Sequence, residues 1–397
     1  MSKTLPFPVY DADNHLYESR EAFTTYLPDR YKRDFYFVEK DGRTKLVING
    51  MLSEFIPNPT FEVVAAPGVH EKWYRSENSE GLTMRDLSGT PIKPPMGWRT
   101  GEGRLESMDQ QGLHAALVFP TLASAVEARF ETKPDVIAAL FRSFNTWLGE
   151  EWGFAREQRL FAVPMVSLAD LDEAIDQLEI ALTAGARCVA IRPGPVPGPT
   201  GGRSPGFKDF DPFWARCAEA KIFVCLHSSD SGYDQIYRWW TGGSRTEYLP
   251  FQRDAFSVML DPLARPITDA LSALICHGAL DRFPDLRFIC VENNSEWVGP
   301  LLERFDRVYG QMPKNFIRHP RETFVSQVFV APAYEDDMDV LASHIPANRI
   351  LFGSDYPHPE GLEEPLGYLQ EFDNFSEHDV RRIFSENLKG LLEGQRD

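Results

Sequence analysis

The sequence has few cysteines, and their spacing argues against a disulfide framework. It contains five, each inside an apolar segment: Cys188, Cys217, Cys225, Cys276 and Cys290. No two of them form a Cys-x-x-Cys motif. We therefore expect reduced thiols in the core of a cytoplasmic protein.

Long basic runs and long apolar runs are also absent. Asp and Glu number 59 against 41 Lys and Arg, which gives a formal net charge of −18. Without a cluster of Lys or Arg, neither nucleic acid nor an anionic membrane is an expected partner. No stretch has the roughly 18 consecutive apolar residues of a membrane-spanning helix, and residues 1–10 show no signal-peptide pattern. The expected ligand is a small molecule.

The sequence contains four short apolar segments that resemble β-strands, and each is followed by side chains that can bind a metal. Asp13 and His15 follow the first run, His227 the second, Glu292 the third and Asp355 the fourth. In a barrel of parallel strands, the residues just past the strand ends meet on one face. The pattern therefore predicts a metal site at the mouth of such a barrel.

From residue 104 onward, predicted strands and helices alternate regularly. With the first strand they make eight, the number that closes a (β/α)8 TIM barrel. The predicted strands are 8–12, 115–119, 160–166, 188–191, 222–226, 286–291, 327–331 and 349–352. A chain of 397 residues with 43% hydrophobic residues can form this α/β fold as a single domain over residues 1–397.

Two insertions interrupt this alternation. Residues 18–103 follow the first strand and contain a predicted small β-hairpin that turns at Asp41-Gly42. Residues 229–256 form a loop insertion after the fifth strand. Insertions of this length usually serve as lids or oligomer contacts.

The predicted metal ligands are Asp13, His15, His227 and Asp355, which would hold one divalent ion. Two imidazoles with carboxylates suit Zn²⁺, and further carboxylates shift the preference toward Mn²⁺ or Fe²⁺. Such an ion lowers the pKa of bound water toward neutrality, and Asp355 could accept the proton released. Taken singly, each residue has a simpler interpretation, as a turn histidine or a helix-capping carboxylate. The combination of all four favours the metal site.

Other candidates surround this set. Glu292 and His358 are predicted to join Asp355 in proton transfer, although His358 suits a turn equally well. Arg192 and Asn293 are predicted to bind substrate, with a salt bridge to a nearby acid as the alternative for Arg192. Aromatic residues after the fifth strand could line a substrate wall or pack on a neighbouring subunit; they are Tyr233, Trp239 and Trp240. A role for His277 is left open, with a helix-end structural role favoured.

The motifs resemble the amidohydrolase superfamily, in the branch around aminocarboxymuconate-semialdehyde decarboxylase. The resemblance is carried by the segments 11–15, 278–286 and 353–358, together with His227. Two positions depart from the family pattern. Asp13 stands where the family commonly has the first His of a His-x-His pair, and Glu292 stands where a strand-six His is usual. The resemblance also implies a homodimer.

The sequence predicts a metal-dependent hydrolase that uses metal-activated water on a small cyclic or aromatic substrate. The bond attacked could belong to an amide, a lactone or an activated C–C unit. Nonoxidative decarboxylation of an aromatic or unsaturated carboxylic acid is the alternative; Glu292 in place of His favours hydrolysis slightly. A catalytically inactive ligand-binding barrel is the third possibility, and the intact metal set argues against it.

Overall fold

The computed structural model describes residues 5–242, 253–261 and 263–395. Its strands β1–β10 are, in order, Tyr10–Leu16, Phe35–Lys40, Arg43–Ile48, Met51–Ser53, Ala115–Pro120, Leu160–Ala162, Cys188–Ile191, Phe223–His227, Arg287–Val291 and Val328–Val330. Strands β1, β5 and β6 pair in parallel, as do β7, β8, β9 and β10. Nearly every residue of these seven strands is buried, which explains why they are continuous apolar runs in the sequence.

Backbone contacts link the two parallel sheets to each other, so the predicted barrel fold is confirmed. On one side, Met165 forms a parallel bridge with Ala190. On the other, Ile350 bridges Val330, and the N–H of Ala12 on β1 donates to the carbonyl of Phe352 at 2.8 Å. The prediction of a regular eighth strand was wrong: within the described residues, 349–352 form one isolated bridge, and Tyr356 beyond them forms another with Asn14 on β1. The N–H of Phe352 donates instead to Ile383 in the C-terminal segment, so the ladder is interrupted there.

Helices surround the barrel. In order, α1–α15 are Glu71–Tyr74, Met84–Leu87, Gly101–Gln111, Pro134–Glu151, Leu171–Thr183, Asp211–Ala220, Asp234–Thr241, Ala255–Met259, Ala264–Cys276, Ala279–Arg282, Val298–Gln311, Pro320–Gln327, Met338–His344, Glu377–Arg381 and Asn387–Leu392. Helix α4 forms where the sequence pattern predicts a helix. Pro134 is its first residue, and its buried face consists of apolar residues at helical spacing, Ile137, Leu140, Phe144 and Trp147. In the described part of the chain, no helix is both long enough and apolar enough to span a membrane.

The insertion after β1 contains the predicted hairpin and one further strand. Strands β2 and β3 pair antiparallel across Asp41 and Gly42, whose φ angles are 54° and 71°, and β4 extends this small sheet. Phe23 joins the sheet to the barrel, because its ring packs 4.7 Å from Phe35 on β2 and 5.0 Å from Phe144 on α4. The insertion is therefore held against the helical layer and extends over the mouth of the barrel.

Two local predictions need correction. The sequence predicts that Ser376 and Ser385 cap the last two helices of the chain. Ser376 caps α14, with its Oγ accepting from the N–H of Asp379 at 3.1 Å, but Ser385 caps no helix. It lies inside a single π-helical turn that continues directly into α15, so no new helix start exists there. Four cysteines are buried as predicted, whereas Cys276 is exposed because it ends α9 at the surface.

Candidate metal centre

Five side chains from distant parts of the chain converge at the mouth of the barrel. The Nε2 atom of His15 lies 3.2 Å from Asp13 Oδ1, 3.3 Å from Glu292 Oε2 and 3.3 Å from Asp355 Oδ1. The Nε2 atom of His227 lies 3.2 Å from the same Glu292 oxygen and 3.3 Å from His15 Nε2. The structure thus brings together the four predicted ligands and Glu292.

Strand geometry explains this convergence. Asp13 and His15 are two residues apart on β1, so their side chains point to the same face, toward the barrel interior. His227 is the last residue of β8, and Glu292 directly follows β9. Glu292 and Asp355 both have left-handed backbones, with φ of 57° and 54°, which is uncommon for residues other than glycine. These strained turns aim the two carboxylates at the centre.

The residues fit a divalent cation. Asp13 Oδ1 and Asp355 Oδ1 are buried and accept no hydrogen bond within the described part of the chain, although both face imidazole nitrogens. The carbonyl of Ser228 lies 2.7 Å from His227 Nδ1, so the proton belongs there and Nε2 presents its lone pair to the centre. The imidazoles of His15 and His227 and the carboxylates of Asp13, Glu292 and Asp355 form a donor set of nitrogen and oxygen that first-row divalent ions accept.

Burial dominates the electrostatics of the cluster. Burial, and then the charges of Glu292 and Asp13, raise the pKa of Asp355 well above its ordinary value. Burial likewise raises the pKa of Glu292, and it lowers the pKa of His15 to about 4. Against the effect of burial, the imidazoles of His15 and His227 lower the pKa of Asp13, and the charge of Glu292 raises the pKa of His227. Asp355, Glu292 and His15 thus favour their neutral forms when only protons are available, whereas Asp13 and His227 favour their charged forms. A bound cation would stabilise the charged carboxylates of Asp355 and Glu292 directly.

A buried network that the sequence analysis left without a role holds the ligands in place. Asp11 Oδ1 accepts from the N–H groups of Asp13 and Ser354, each at 3.0 Å. Its other oxygen accepts from Ser354 Oγ at 2.6 Å and from Asn14 Nδ2 at 3.0 Å. Arg104, fully buried on α3, donates to Asn14 Oδ1 and, at 2.6 Å, to the carbonyl of His15. Nothing in the sequence distinguishes Arg104 from other helix arginines.

His358 lies beside the cluster. Its ring stacks on His15 with centroids 3.8 Å apart, and its Nδ1 is 2.8 Å from Asp355 Oδ1. Its Nε2 is 3.0 Å from Thr121 Oγ1, whose hydroxyl donates to the carbonyl of Leu16. Thr121 therefore accepts from His358 Nε2–H, which leaves the Nδ1 lone pair facing Asp355. Burial lowers the pKa of His358 to about 4.

Two predicted substrate ligands have other partners in the structure. Arg192 Nε lies 3.6 Å from Glu127 Oε2, and its Nη2 donates to the carbonyl of Pro195 at 2.7 Å. Arg192 therefore forms the salt bridge to a nearby acid that was the alternative to substrate binding. Asn293 is buried, and its Nδ2 donates to the carbonyls of Leu226 and Val291, so it ties β8 to β9. The left-handed turn directs the next residue, Asn294, to the cavity wall instead.

The predicted aromatic wall is only partly present. Tyr233 lines the cavity described below, and its hydroxyl donates to Asp269 at 2.7 Å. Trp239 and Trp240 are each 73% exposed and are not among the described residues of the cavity wall. His277 is exposed at the end of α9, where its Nδ1 lies 2.7 Å from Ser204 Oγ, as the structural interpretation expects.

A cavity of about 1170 Å³ opens above the cluster. Its floor is the cluster itself, and its roof comes from the insertion after β1, including Phe55, Ile56 and Phe61. Tyr74 and Arg253 lie on its wall as well, and the sequence analysis assigned neither of them a role. Pockets that bind drug-sized molecules typically measure about 300–1,000 Å³, so this cavity has ample room for a small substrate.

Comparisons with known proteins agree with this geometry. A family model described as amidohydrolase matches residues 11–387. The crystal structure of an amidohydrolase from Mycobacterium avium subsp. paratuberculosis K-10 is 37% identical, with a TM-score of 0.91 and 98% of each chain covered. No curated protein matches significantly.

Two more distant structures share the fold. One is a dihydroxybenzoic acid decarboxylase from Polaromonas sp. JS666 with bound manganese, at 14% identity, a TM-score of 0.60 and 97% of each chain covered. The other is a 5-carboxyvanillate decarboxylase from Novosphingobium aromaticivorans DSM 12444, also with bound manganese. It is 14% identical, with a TM-score of 0.63 and coverage of 99% of this chain and 100% of that chain.

Proposed function

Because the chain belongs to the amidohydrolase family, we propose that it is a metal-dependent carboxy-lyase that removes carbon dioxide from an aromatic or unsaturated carboxylic acid without an oxidant. Family membership rests on the match over residues 11–387 and confirms the resemblance drawn from the motifs. With it, the chain is an enzyme of this superfamily, either a metal-dependent hydrolase or a carboxy-lyase. The choice between these two is our proposal.

The position of Glu292 supports decarboxylation. Its side chain is 25% exposed, against 6% for Asp13 and 14% for Asp355, so it is the carboxyl of the cluster that most faces the cavity. An acid placed there can reach a substrate carbon above the cluster, and decarboxylation requires such a proton donor. The two fold relatives described as decarboxylases support the same choice. We therefore favour decarboxylation over hydrolysis, although the sequence pattern alone favours hydrolysis slightly.

In the proposed reaction, the Glu292 carboxyl delivers a proton to the carbon that carries the departing carboxylate. The C–C bond then breaks, its electron pair returns to the substrate framework, and carbon dioxide leaves. The net change is one carboxylate and one proton converted to a C–H bond and carbon dioxide. When bound, a divalent ion supplies Lewis-acid polarisation of substrate oxygens. Asp13, His15 and His227, whose ligand atoms lie close together, would hold it with Asp355, whose Oδ1 lies 3.3 Å from His15 Nε2. The insertion would limit the access of water.

The metal itself is proposed as Mn²⁺ or Zn²⁺. The two carboxylates among the proposed ligands favour the harder Mn²⁺, whereas the two imidazoles suit Zn²⁺. Manganese in the two decarboxylase structures supports the first choice. Elemental analysis of protein purified without added metal distinguishes the two.

Hydrolysis is the second candidate, since the 37% identical structure is described as an amidohydrolase. The experiment that separates the two uses metal-loaded protein, carboxyl-¹³C aromatic and unsaturated acids, and a parallel panel of amides and lactones, all in H₂¹⁸O. Release of ¹³CO₂ with one solvent hydrogen added to the product carbon supports the lyase. Turnover of an amide or lactone with ¹⁸O in the product, and no CO₂, would contradict it. Metal-stripped protein is the control.

We also propose that the protein is a cytoplasmic homodimer that acts on a small molecule. The two exposed tryptophans on α7 support an oligomer contact, and the free thiols support a reducing compartment. Light scattering across a range of protein concentrations tests the dimer. A monomer at all concentrations would contradict it.

A further inference from the structure

The cavity above the cluster has two chemically different parts. Its floor consists of the carboxylates and imidazoles of the cluster, whereas the outer cavity is lined by aliphatic side chains. Among the described residues, every valine, leucine and isoleucine of the wall comes either from the insertion after β1 or from the segment between β8 and α9. They are Ile56, Val63, Val64, Ile236, Leu260 and Leu263. The reaction proposed for the floor of the cavity gives these side chains no role.

A column of four rings joins the cluster to the outer cavity. The ring centre of His358 lies 3.8 Å from that of His15 and 5.9 Å from that of Tyr17. Tyr17 in turn stacks on Phe61 of the insertion, with ring centres 4.7 Å apart. All four residues line the cavity. A molecule bound at the cluster can therefore extend along this column into the outer cavity.

Arg129 holds both segments of the outer cavity in place over the mouth of the barrel. Its carbonyl accepts a hydrogen bond of 2.8 Å from Asn49 Nδ2 in the insertion, and its guanidinium carbon stands 5.9 Å from the centre of the Phe55 ring. The guanidinium also pairs with Asp230, which follows β8, and both of these side chains are buried. The outer cavity is therefore largely formed before a ligand binds, which reduces the cost of ordering it.

Part of the apolar surface of the outer cavity remains open. Val63 is 42% exposed. Leu260 and Leu263 are half-buried and, in the described part of the chain, do not belong to the hydrophobic core of the barrel. Charged side chains of the insertion pair with one another, since Arg20 Nη2 lies 3.5 Å from Glu62 Oε1. Apolar surface of this kind is stabilised when an apolar ligand covers it.

The volume of the cavity indicates the size of its ligand. At about 1170 Å³ it exceeds the roughly 300–1,000 Å³ of pockets that enclose drug-sized molecules, so a single-ring acid would leave most of it unfilled. We propose that the outer cavity is a subsite for an apolar extension of the substrate, such as a second ring or an alkyl chain, attached away from the reacting carbon. Burial of this remote group supplies binding energy that orients the reacting carbon. The inference rests on the proposed function, because it names the substrate class of the same site.

The test measures binding, so it does not depend on turnover. Isothermal titration of metal-loaded protein compares benzoate with 3-butylbenzoate and 4-butylbenzoate, which carry the same apolar chain in two directions. Because each buried methylene contributes about fourfold in affinity, at least one butyl isomer should bind about ten- to a hundredfold more tightly than benzoate.

Substitutions locate the chain within the outer cavity. Val63→Ser combined with Leu260→Ser changes one residue of each segment, and it should weaken the tighter butyl isomer about tenfold while benzoate binding stays unchanged. Val63→Ser alone alters a side chain that is already 42% exposed, so it should weaken the same isomer about threefold without loss of stability. Val340→Ser is the matched control, because this exposed valine on α13 is not among the described residues of the cavity wall. It should change neither affinity.

Three results would overturn the assignment. If neither butyl isomer binds more tightly than benzoate, the outer cavity is not an apolar subsite. If the double variant keeps the full gain in affinity, the chain lies elsewhere. If benzoate weakens as much as the butyl isomer, these side chains only support the fold, and thermal unfolding and metal content of each variant would show that loss directly. Failure to detect carbon dioxide release would contradict the proposed function but would leave this binding preference standing.

Discussion

The hydroxyl of Ser354 donates a 2.6 Å hydrogen bond to Asp11 Oδ2, joining two positions 343 residues apart in the chain. The bond closes the barrel on the side where Asp13 and Asp355 meet, yet neither partner is a predicted ligand. Ser354→Ala should lower the free energy of unfolding by about 1–3 kcal/mol, because a fully buried carboxyl group loses its hydroxyl partner. It should also weaken metal binding about 10–100-fold.

Ser376→Ala is the matched control for this prediction. It removes the cap of α14, at a cost of about 1 kcal/mol in stability, and should leave metal affinity unchanged. Urea unfolding and competition with a chromophoric chelator give the two quantities. Unaltered metal affinity in Ser354→Ala would mean that the ligand positions do not depend on this bond.

His227→Ala should abolish metal retention and activity while the fold stays largely intact. The imidazole supplies one of the two nitrogen donors of the proposed ligand set, and its removal leaves His15 as the other. Elemental analysis and circular dichroism before and after dialysis check the prediction. His277→Ala, which removes an exposed histidine at the end of α9, should keep its metal. Full activity of His227→Ala would refute the site.

Glu292→Gln separates acid catalysis from metal binding. If Glu292 delivers the proton, the amide cannot replace it, and kcat should fall by about 10²–10⁴-fold. Metal content should stay near one ion per chain, since Asp13, His15, His227 and Asp355 remain. Loss of the ion together with activity would instead identify Glu292 as a ligand. Single-turnover kinetics and elemental analysis on the same sample distinguish the outcomes.

Glu18 should make stability depend on pH. Its buried carboxylate accepts from the N–H groups of Leu122 and Ala123 at 2.8 and 3.0 Å, and burial raises its pKa from 4.5 to about 7. Folding therefore favours the protonated form, so this group lowers stability as pH rises through that range. The free energy of unfolding of the parent, minus that of Glu18→Gln, should fall by about 3 kcal/mol between pH 4 and 8.

Urea unfolding of both proteins across this range checks the prediction for Glu18. The difference between the two curves removes the contribution of other buried acids, such as Asp336, whose pKa burial also raises to about 7. A constant difference across the range would show that Glu18 titrates normally in the folded protein.

The barrel and the convergence of the predicted ligands at its mouth could be predicted from sequence because both depend on local patterns. Strands buried on both sides must be apolar throughout, and their ends are marked by the first polar residues, such as His227 and Glu292. In a parallel barrel, all these ends share one rim. Side chains that are far apart in the chain, such as Asp13 and Asp355, therefore come together without any knowledge of the loops.

The surroundings of the centre depend on contacts that no local pattern encodes. The left-handed turn after β9 places Asn294, and not Asn293, on the cavity wall. Arg192 pairs with Glu127 and is not among the residues that line the cavity. Arg104 is an ordinary helix arginine until the fold buries it under β1. The sequence by itself determined which strand ends carry the chemistry. Only tertiary structure decided which cations and amides surround it, because side-chain direction past a strand end depends on loop backbone and on distant partners.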